Sequence, residues 1–124
     1  MTTPDRRFGR DRRVRSRRDF QEIYGGRRSI RNRDLTFCWR PAEGDRSRLG
    51  LSVGRRIGGA VERNRVKRVL REVFRHEAGT LARPLDLIVI PRAYHSAADH
   101  ARMLSSFRHL ARKLERELAG EERE

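Results

Sequence analysis

Hydrophobic side chains in the first quarter of the chain have the spacing of a short helix. Ser16 followed three residues later by Asp19 has the pattern of a capping box, and Gly25-Gly26 ends the apolar spacing. Between these signals, three apolar residues stand at i, i+3 and i+4: Phe20, Ile23 and Tyr24. The pattern predicts a helix whose apolar face these three side chains share.

The next segment alternates large apolar and smaller side chains, which is the period of a β-strand. The alternation runs from Leu35 to Trp39, and residues 28–31 before it predict a short edge strand. A third strand follows a turn at residues 41–45. Its apolar residues are Leu49, Leu51 and Val53, and the small residues between them are Gly50, Ser52 and Gly54. The small face either relieves crowding or lets a ligand backbone come close to the sheet.

The second half of the chain predicts a helix, a central strand and a long final helix. The helix from Ala60 to about Gly79 carries apolar residues at helical spacing: Val66, Val69, Leu70, Val73 and Phe74. Leu85 and residues 87–90 form a nearly continuous apolar run, typical of a strand covered on both faces. Ser96 with Asp99 resembles another capping box. The helix after it carries a stripe that we interpret as core: Leu104, Phe107, Ala111, Leu114 and Leu118.

The order αβββαβα predicts one α/β domain, an α+β two-layer sandwich with a split βαβ unit and with helices on one sheet face. We expect this domain to cover residues 16–118. Residues 1–15 are rich in arginine and poor in apolar side chains, which predicts a flexible basic arm. Residues 119–124 are mostly charged and predict a short tail.

The distribution of charge along the chain indicates a function in binding. The 124 residues carry a formal net charge of +14, and residues 1–75 hold 23 basic against 9 acidic residues. This segregation favours a binding face for a polyanion over a uniformly charged surface that only aids solubility. All but two of the bases are arginine, which suits phosphate and base recognition but is equally typical of GC-rich coding.

The composition also argues for a cytoplasmic protein without a membrane span. The longest aliphatic stretch, residues 87–90, is far shorter than the ~20 residues that cross a bilayer. The N-terminus lacks the apolar segment of a secretory signal. Cys38 is the single cysteine, so the chain cannot form an internal disulfide, as fits a reducing compartment.

The segment from Arg55 to Arg75 holds the densest basic pattern. At about 100° per residue, Asn64, Arg68, Arg71 and Arg75 share the helix face opposite the apolar stripe. A solvated surface helix usually pairs bases with acids at i, i+4, and the acids here are only Glu62 and Glu72. We therefore interpret this face as a phosphate-binding surface. Gly58-Gly59 ahead of the helix offers a second, weaker candidate seat for a phosphate.

Residues 48–75, RLGLSVGRRIGGAVERNRVKRVLREVFR, resemble the signature of the bacterial ribonuclease P protein subunit. The hallmark is Arg-Asn-Arg followed by Lys-Arg on one helix. Asp19-Phe20 with Tyr24, Asn32-Arg33 and residues 86–92 extend the similarity over about residues 13–115. The resemblance implies one αβββαβα domain with an unusual left-handed crossover, shared with a domain of a small-subunit ribosomal protein.

The resemblance also implies the function: a protein that assists a catalytic RNA in removing the 5′ leader of precursor tRNA by Mg²⁺-dependent hydrolysis. It implies a ribonuclease P RNA and precursor tRNA as partners, Mg²⁺ bound mainly by RNA, no small-molecule cofactor, and one monomeric protein per RNA. The implied contacts with the catalytic RNA are Arg55, Arg56, Arg63, Asn64, Arg65, Lys67, Arg68 and Arg71. The implied leader-binding cleft contains Phe20, Tyr24, Thr36 and Cys38, where relatives commonly have an aromatic residue in place of Cys38.

A catalytic role for the protein itself has little support in the residues. The four histidines, His76, His95, His100 and His109, lack metal-ligand spacing, and no nucleophile motif or phosphate-binding loop is present. We therefore expect no catalytic residue and no metal ligand in the protein. Three alternatives stay open at this point: a two-histidine ribonuclease, a ribosomal-type structural RNA-binding protein, and a basic DNA-binding module.

Overall fold

The computed structural model describes residues 12–123 and contains one four-stranded sheet. The elements are α1 (Arg17–Gly25), β1 (Ser29–Arg31), β2 (Leu35–Pro41), β3 (Arg48–Leu51), α2 (Ala60–Glu77), β4 (Leu85–Pro91), α3 (Tyr94–Ala97) and α4 (His100–Arg123). The strands lie in the order β1-β2-β4-β3, with β2 antiparallel to β1 and β4 and with β3 parallel to β4. The predicted α/β order is confirmed, with the one-turn helix α3 added. The left-handedness of the crossover stays a prediction.

The two predicted capping boxes have different outcomes. The Ser16 hydroxyl accepts a hydrogen bond from the Asp19 backbone N–H at 3.0 Å, so α1 begins as predicted. The prediction for α4 was wrong, because Ser96 lies inside α3 and its hydroxyl donates to the Ala93 carbonyl. Asp99 caps α4 instead, and its carboxylate accepts from the Arg102 backbone N–H at 3.2 Å.

The main core lies between one face of the sheet and the pair α2 and α4. Leu35, Phe37 and Trp39 of β2 point into it, as the alternation predicted. β4 is central and buried along most of its length, and Leu87 and Val89 face this core. The stripe of α4 is confirmed as core, since Phe107, Ala111, Leu114 and Leu118 are all buried there.

The opposite sheet face carries a second, smaller core, and the prediction that helices cover only one face was wrong. Here α1 lies across the sheet, and Ile23 packs with Val14 and Ile88. Phe20 and Cys38 pack at the edge of the same cluster. This face is covered because β4 is apolar on both sides, so Ile88 needs a partner that α2 and α4 cannot provide.

At both ends of the chain, ordered structure extends into residues that the sequence assigned to a flexible arm or a tail. Residues 1–11 of the expected arm lie outside the described residues. Residues 12–15 dock on the sheet: the Val14 N–H donates to the Leu49 carbonyl at 2.9 Å and the Val14 side chain is buried. At the other end, α4 continues to Arg123 through the predicted tail, where Glu121 forms an ion pair with Arg28 at 3.3 Å.

Candidate nucleic-acid interface

α1 presents two chemically different flanks on either side of Ile23, which faces the sheet. One flank carries Phe20 and Tyr24, whose ring centroids are 6.1 Å apart with the planes tilted by 54°. The other flank carries Asp19 and Glu22. Tyr24 is 41% exposed, whereas Phe20 is half-buried. The helix therefore offers an aromatic edge to solvent along one side only.

Phe20 owes its position to Gly50 on β3. A Cβ atom at Gly50 would lie 2.9 Å from Phe20 Cζ and 3.2 Å from Val14 Cβ, which is too close. Of the two interpretations of the small-residue face, the structure favours the relief of crowding at Gly50, where the ring and the Val14 segment occupy the space. Phe20 is thus both a packing residue and the inner border of the exposed aromatic edge.

Thr36 and Cys38 lie on the α1 side of β2, in line with the expected cleft. Thr36 is paired in register with Ile90, and Cys38 with Ile88. Both side chains are half-buried. Cys38 packs against the cluster under α1, and this burial raises the pKa of its thiol, which therefore stays neutral at pH 7. Cys38 belongs more to the support of α1 than to an open cleft wall.

A concavity of about 350 Å³ joins the aromatic flank of α1 to the basic helix. Its borders are Arg13, Val14, Arg15, Phe20, Leu49, Leu51, Lys67 and Arg71. Phe20 supplies an aromatic wall, and Lys67 and Arg71 supply cations from α2. The cavity thus combines a ring surface with charges at short range, which is the chemistry of a site for single-stranded nucleic acid.

The predicted contacts with the catalytic RNA divide into two sets. Lys67 and Arg71 border the concavity, as described, and Arg63 is half-buried. The exposed set is Arg55, Arg56, Asn64, Arg65 and Arg68, the first two of which lie in a one-turn 3₁₀ helix at Arg55–Ile57. None of the charged members of either set forms an ion pair with a side chain in the described part of the chain.

Two local contacts refine the predicted face. Arg75 forms an ion pair with Glu72, so its charge is already compensated inside the protein. Arg65 lies 3.4 Å from the Tyr94 hydroxyl through its Nη1 atom, which ties this arginine to α3. Within the predicted face of α2, the cations without an ion-pair partner among the described residues are therefore Arg68 and Arg71.

Arg71 and Arg13 bring two guanidinium groups to the border of the concavity. Burial and the neighbouring Arg13 guanidinium both lower the pKa of Arg71. The guanidinium stays protonated at neutral pH all the same, so two cations repel each other at the border of one cavity.

The second candidate phosphate seat, at Gly58-Gly59, is not supported. Gly58 has φ +147°, and a Cβ atom there would lie 2.9 Å from Glu62 Cβ. The Glu62 carboxylate also folds over Gly59, with Oε2 3.1 Å from the Cβ position of that glycine. An internal carboxylate thus already lies at the positive end of α2, where an anion would have to bind.

The acidic flank of α1 is tied to a buried carboxylate in the sheet. Asp86 is fully buried, and it accepts hydrogen bonds from Arg48 Nε at 2.8 Å and from Arg40 Nε at 2.9 Å. Burial alone would raise the pKa of Asp86, but the bonds from Arg48 and Arg40 outweigh it, and the pKa lies below its ordinary value. Arg40 also reaches Glu22 and Asp19 on α1.

Sequence reasoning missed Arg13, Arg15, Arg40, Arg48 and Asp86 as residues near the candidate interface. Arg40 could have been found, because it continues the alternation of Thr36 and Cys38 along β2 and so points to the same sheet face. The positions of Arg13 and Arg15 carried no such signal, since a charged segment that docks on a strand edge looks like a flexible arm.

The histidines do not converge on a site in the described part of the chain. His76 lies 3.4 Å from Glu72, His109 contacts Asn32, and His95 and His100 are exposed. Within residues 12–123, no group of three or more His, Cys, Asp or Glu side chains is placed to hold a metal ion. No helix among these residues is long and apolar enough to span a bilayer.

These features define a class: a small basic α/β protein in which a cationic helix and an aromatic edge border one cavity, suited to nucleic acid. Comparison with known proteins narrows the class. A family model for ribonuclease P matches residues 8–115. The ribonuclease P protein component of Thermotoga maritima is 41% identical over 85 residues, which cover 68% of this chain and 73% of that protein. That of Shouchella clausii is 36% identical over 105 residues, covering 84% and 86%.

Solved structures agree with the sequence comparisons. The ribonuclease P protein of Staphylococcus aureus superposes with a TM-score of 0.72 at 32% identity, covering 83% of this chain and 94% of that one. The Thermotoga maritima protein gives 0.71 at 34% identity, covering 81% and 96%. The chain belongs to the ribonuclease P protein family, whose members are the protein component of the ribonucleoprotein enzyme that processes tRNA. The family resemblance predicted from the sequence is confirmed.

Proposed function

We propose that this protein binds a ribonuclease P RNA and the 5′ leader of precursor tRNA at the same time. The leader would lie in the concavity beside Phe20, with Tyr24 and Thr36 along its path, and the catalytic RNA would contact the outward side of α2. This assignment moves Lys67 and Arg71 from the predicted contacts with the catalytic RNA to the leader site and leaves Cys38 beneath α1. The other predicted residues keep their roles.

The proposal rests mainly on the residues that border the concavity. Phe20 stands on one border and Lys67 and Arg71 stand on another. A single-stranded leader offers both bases, which stack on rings at roughly 1–3 kcal/mol each, and phosphates, which pair with cations. Stacking tolerates every base, so such a site accepts leaders of different sequence.

The outward cations suit a structured RNA rather than a single strand. Arg55, Arg56, Arg65 and Arg68 are exposed and have no ion-pair partner among the described residues. Each phosphate that such a cation contacts releases bound counterions from the RNA, so assembly with the catalytic RNA should weaken steeply with salt. Arg63 and Asn64, beside them in the Arg-Asn-Arg stretch, complete this docking surface.

Hydrolysis is assigned to the RNA, with Mg²⁺ held mainly by the RNA and the substrate. The acidic group most deeply buried near the cleft, Asp86, is already bonded to two arginines and is not available to a metal ion. The protein's part is to hold the leader and the catalytic RNA in a fixed relation. We further propose one protein per RNA and action in the cytoplasm, where Cys38 stays reduced.

Reconstitution tests the proposal. Purified protein is mixed with precursor tRNA alone, with a bacterial ribonuclease P RNA alone, and with both, at moderate Mg²⁺. We expect cleavage at the mature 5′ end only when the RNA is present, and faster cleavage when the protein is added. A structural RNA-binding or DNA-binding protein would not accelerate the reaction. Cleavage by the protein alone, abolished by His76→Ala or His100→Ala, would overturn the assignment of catalysis to RNA.

A further inference from the structure

Arg40 joins α1 to the sheet through three separate carboxylates. Its Nε donates to Asp86 at 2.9 Å, its Nη1 to Glu22 at 2.7 Å, and its Nη2 to Asp19 at 3.2 Å. Asp86 belongs to β4 and has no exposed surface, whereas Glu22 and Asp19 belong to α1. One planar guanidinium thus connects the floor of the sheet to the helix above it.

Arg48 makes this connection rigid at its buried end. Its Nε and Nη2 atoms bind the two oxygens of Asp86 at 2.8 Å and 2.7 Å, which is a bidentate pair. The Asp86 carboxylate is therefore held in one orientation and presents a fixed acceptor to Arg40. Arg48 also lies 4.0 Å from Asp19, so α1 receives a second cation from β3.

The geometry of α1 makes this cluster relevant to the cleft. Asp19 and Glu22 lie on one side of Ile23, and Phe20 and Tyr24 lie on the other, because residues three and four apart share a helix face. A rotation of α1 about its axis that released the acidic flank would also swing the two rings. The arginine contacts on one flank therefore fix the direction in which the rings on the other flank point.

From these contacts we propose that Arg40, anchored by Asp86 and Arg48, is a positioning residue for leader binding. It acts through α1 and touches neither the leader nor the reacting atoms. The inference rests on the proposed function, since it assumes that Phe20 and Tyr24 contact the leader. Lysine cannot replace Arg40, because a single ammonium cannot donate in one plane to carboxylates on three sides.

The test compares Arg40→Lys with wild type in the reconstituted holoenzyme. This change keeps the net charge, so it leaves the long-range attraction for RNA unaltered. Substrates carry either a leader of several nucleotides or a one-nucleotide leader, and KM and kcat are measured for both. We expect Arg40→Lys to raise KM for the longer leader about three- to tenfold, with kcat and the short-leader KM nearly unchanged, as for a partial loss of stacking geometry.

Arg28→Lys is the matched control, because Arg28 also bonds a carboxylate, Glu121, but at the end of α4 rather than on α1. It should leave the ratio of the two KM values unchanged. Glu22→Gln changes a half-exposed carboxylate that Arg40 contacts, so it is a milder variant than Arg40→Lys. Glu22→Gln should shift the ratio of the two KM values in the same direction as Arg40→Lys.

The outcomes separate this inference from the proposed function. If Tyr24→Leu lowers the preference for longer leaders and Arg40→Lys and Glu22→Gln do not, the positioning role is wrong and the leader site stands. If none of the three changes the preference, the leader site itself is wrong. If Arg40→Lys raised KM equally for both substrates and also lowered the unfolding temperature, Arg40 would have only a structural role.

Discussion

Phe20 lies directly over Gly50, with its Cζ atom 2.9 Å from the place where a Cβ atom would stand on β3. The missing side chain lets α1 approach the sheet closely enough for the Phe20 ring to border both the small core and the concavity. Stability and the proposed leader site therefore depend on the same pair of residues.

Gly50→Ala should weaken both properties. The added methyl group cannot be accommodated unless Phe20 or Val14 moves, and overpacking of this kind costs typically ~1–3 kcal/mol. We expect a lower free energy of unfolding, measured by urea denaturation, and a weaker preference of the holoenzyme for longer leaders. Gly44→Ala, where an added Cβ meets no atom within 4 Å, is the control. A stable Gly50→Ala protein with unchanged leader preference would show that the close approach is not required.

Tyr24 allows a cleaner test of stacking than Phe20. Because Tyr24 is exposed, Tyr24→Leu should leave the unfolding temperature nearly unchanged while it lowers affinity for precursors with leaders of several nucleotides. Loss of one stacked base corresponds to roughly 1–3 kcal/mol, or about five- to 150-fold in affinity. Phe20→Ala should lower leader affinity and stability together. Equal losses for long and one-nucleotide leaders with Tyr24→Leu would contradict leader stacking.

Arg68 and Arg75 form a matched pair for testing the basic face of α2. Both stand on the side of α2 away from the core, but Arg75 already pairs with Glu72, whereas Arg68 has no ion-pair partner within the described residues. Arg68→Ala should reduce the slope of log affinity against log salt by about one unit or less for each phosphate that the protein no longer neutralises. Arg65→Ala should act in the same direction. Arg75→Ala should change the slope less; equal effects of Arg68→Ala and Arg75→Ala would show that the face is simply solvated.

Acid should weaken the fold through Asp86. The pKa of Asp86 in the folded protein lies below its ordinary value of 3.8, so its ion pairs stabilise the fold fully above that value. This contribution is lost as the pH falls through the lowered folded-state pKa. Asp86→Asn should cost about 3 kcal/mol at neutral pH, the lower end for a broken buried pair. The stability gap between wild type and Asp86→Asn should therefore narrow as the pH falls below the ordinary value of 3.8; a gap that stays constant in acid would contradict the assignment.

The regular elements could be predicted because their signals are local. The apolar stripe of α2 follows the helical period over many residues, and the apolar run of β4 is nearly continuous, so the structure places both as expected. The chemistry of the Arg-Asn-Arg helix was likewise visible, since the six bases of residues 62–75 against only Glu62 and Glu72 can be counted in the sequence.

The remaining features depend on contacts between distant residues. No local pattern indicates that Val14 pairs with Leu49, or that Arg40 and Arg48 converge on Asp86. The same holds for the placement of α1 on the second sheet face, because one short apolar stripe is compatible with either face. Asp99 rather than Ser96 caps α4 because the one-turn helix α3 takes up the intervening residues.

The central claim, that the leader lies between the aromatic flank of α1 and the cations of α2, can be tested by zero-length photocrosslinking. Precursor tRNA with a single 4-thiouridine in the leader is bound to the reconstituted holoenzyme and irradiated, and crosslinked peptides are mapped by mass spectrometry. We predict crosslinks to peptides that contain Phe20 and Tyr24 or Lys67 and Arg71, reduced in Tyr24→Leu and absent for a thiouridine in the mature tRNA body. Crosslinks confined to the outer face of α4, or equal yields for leader and tRNA body, would contradict the claim.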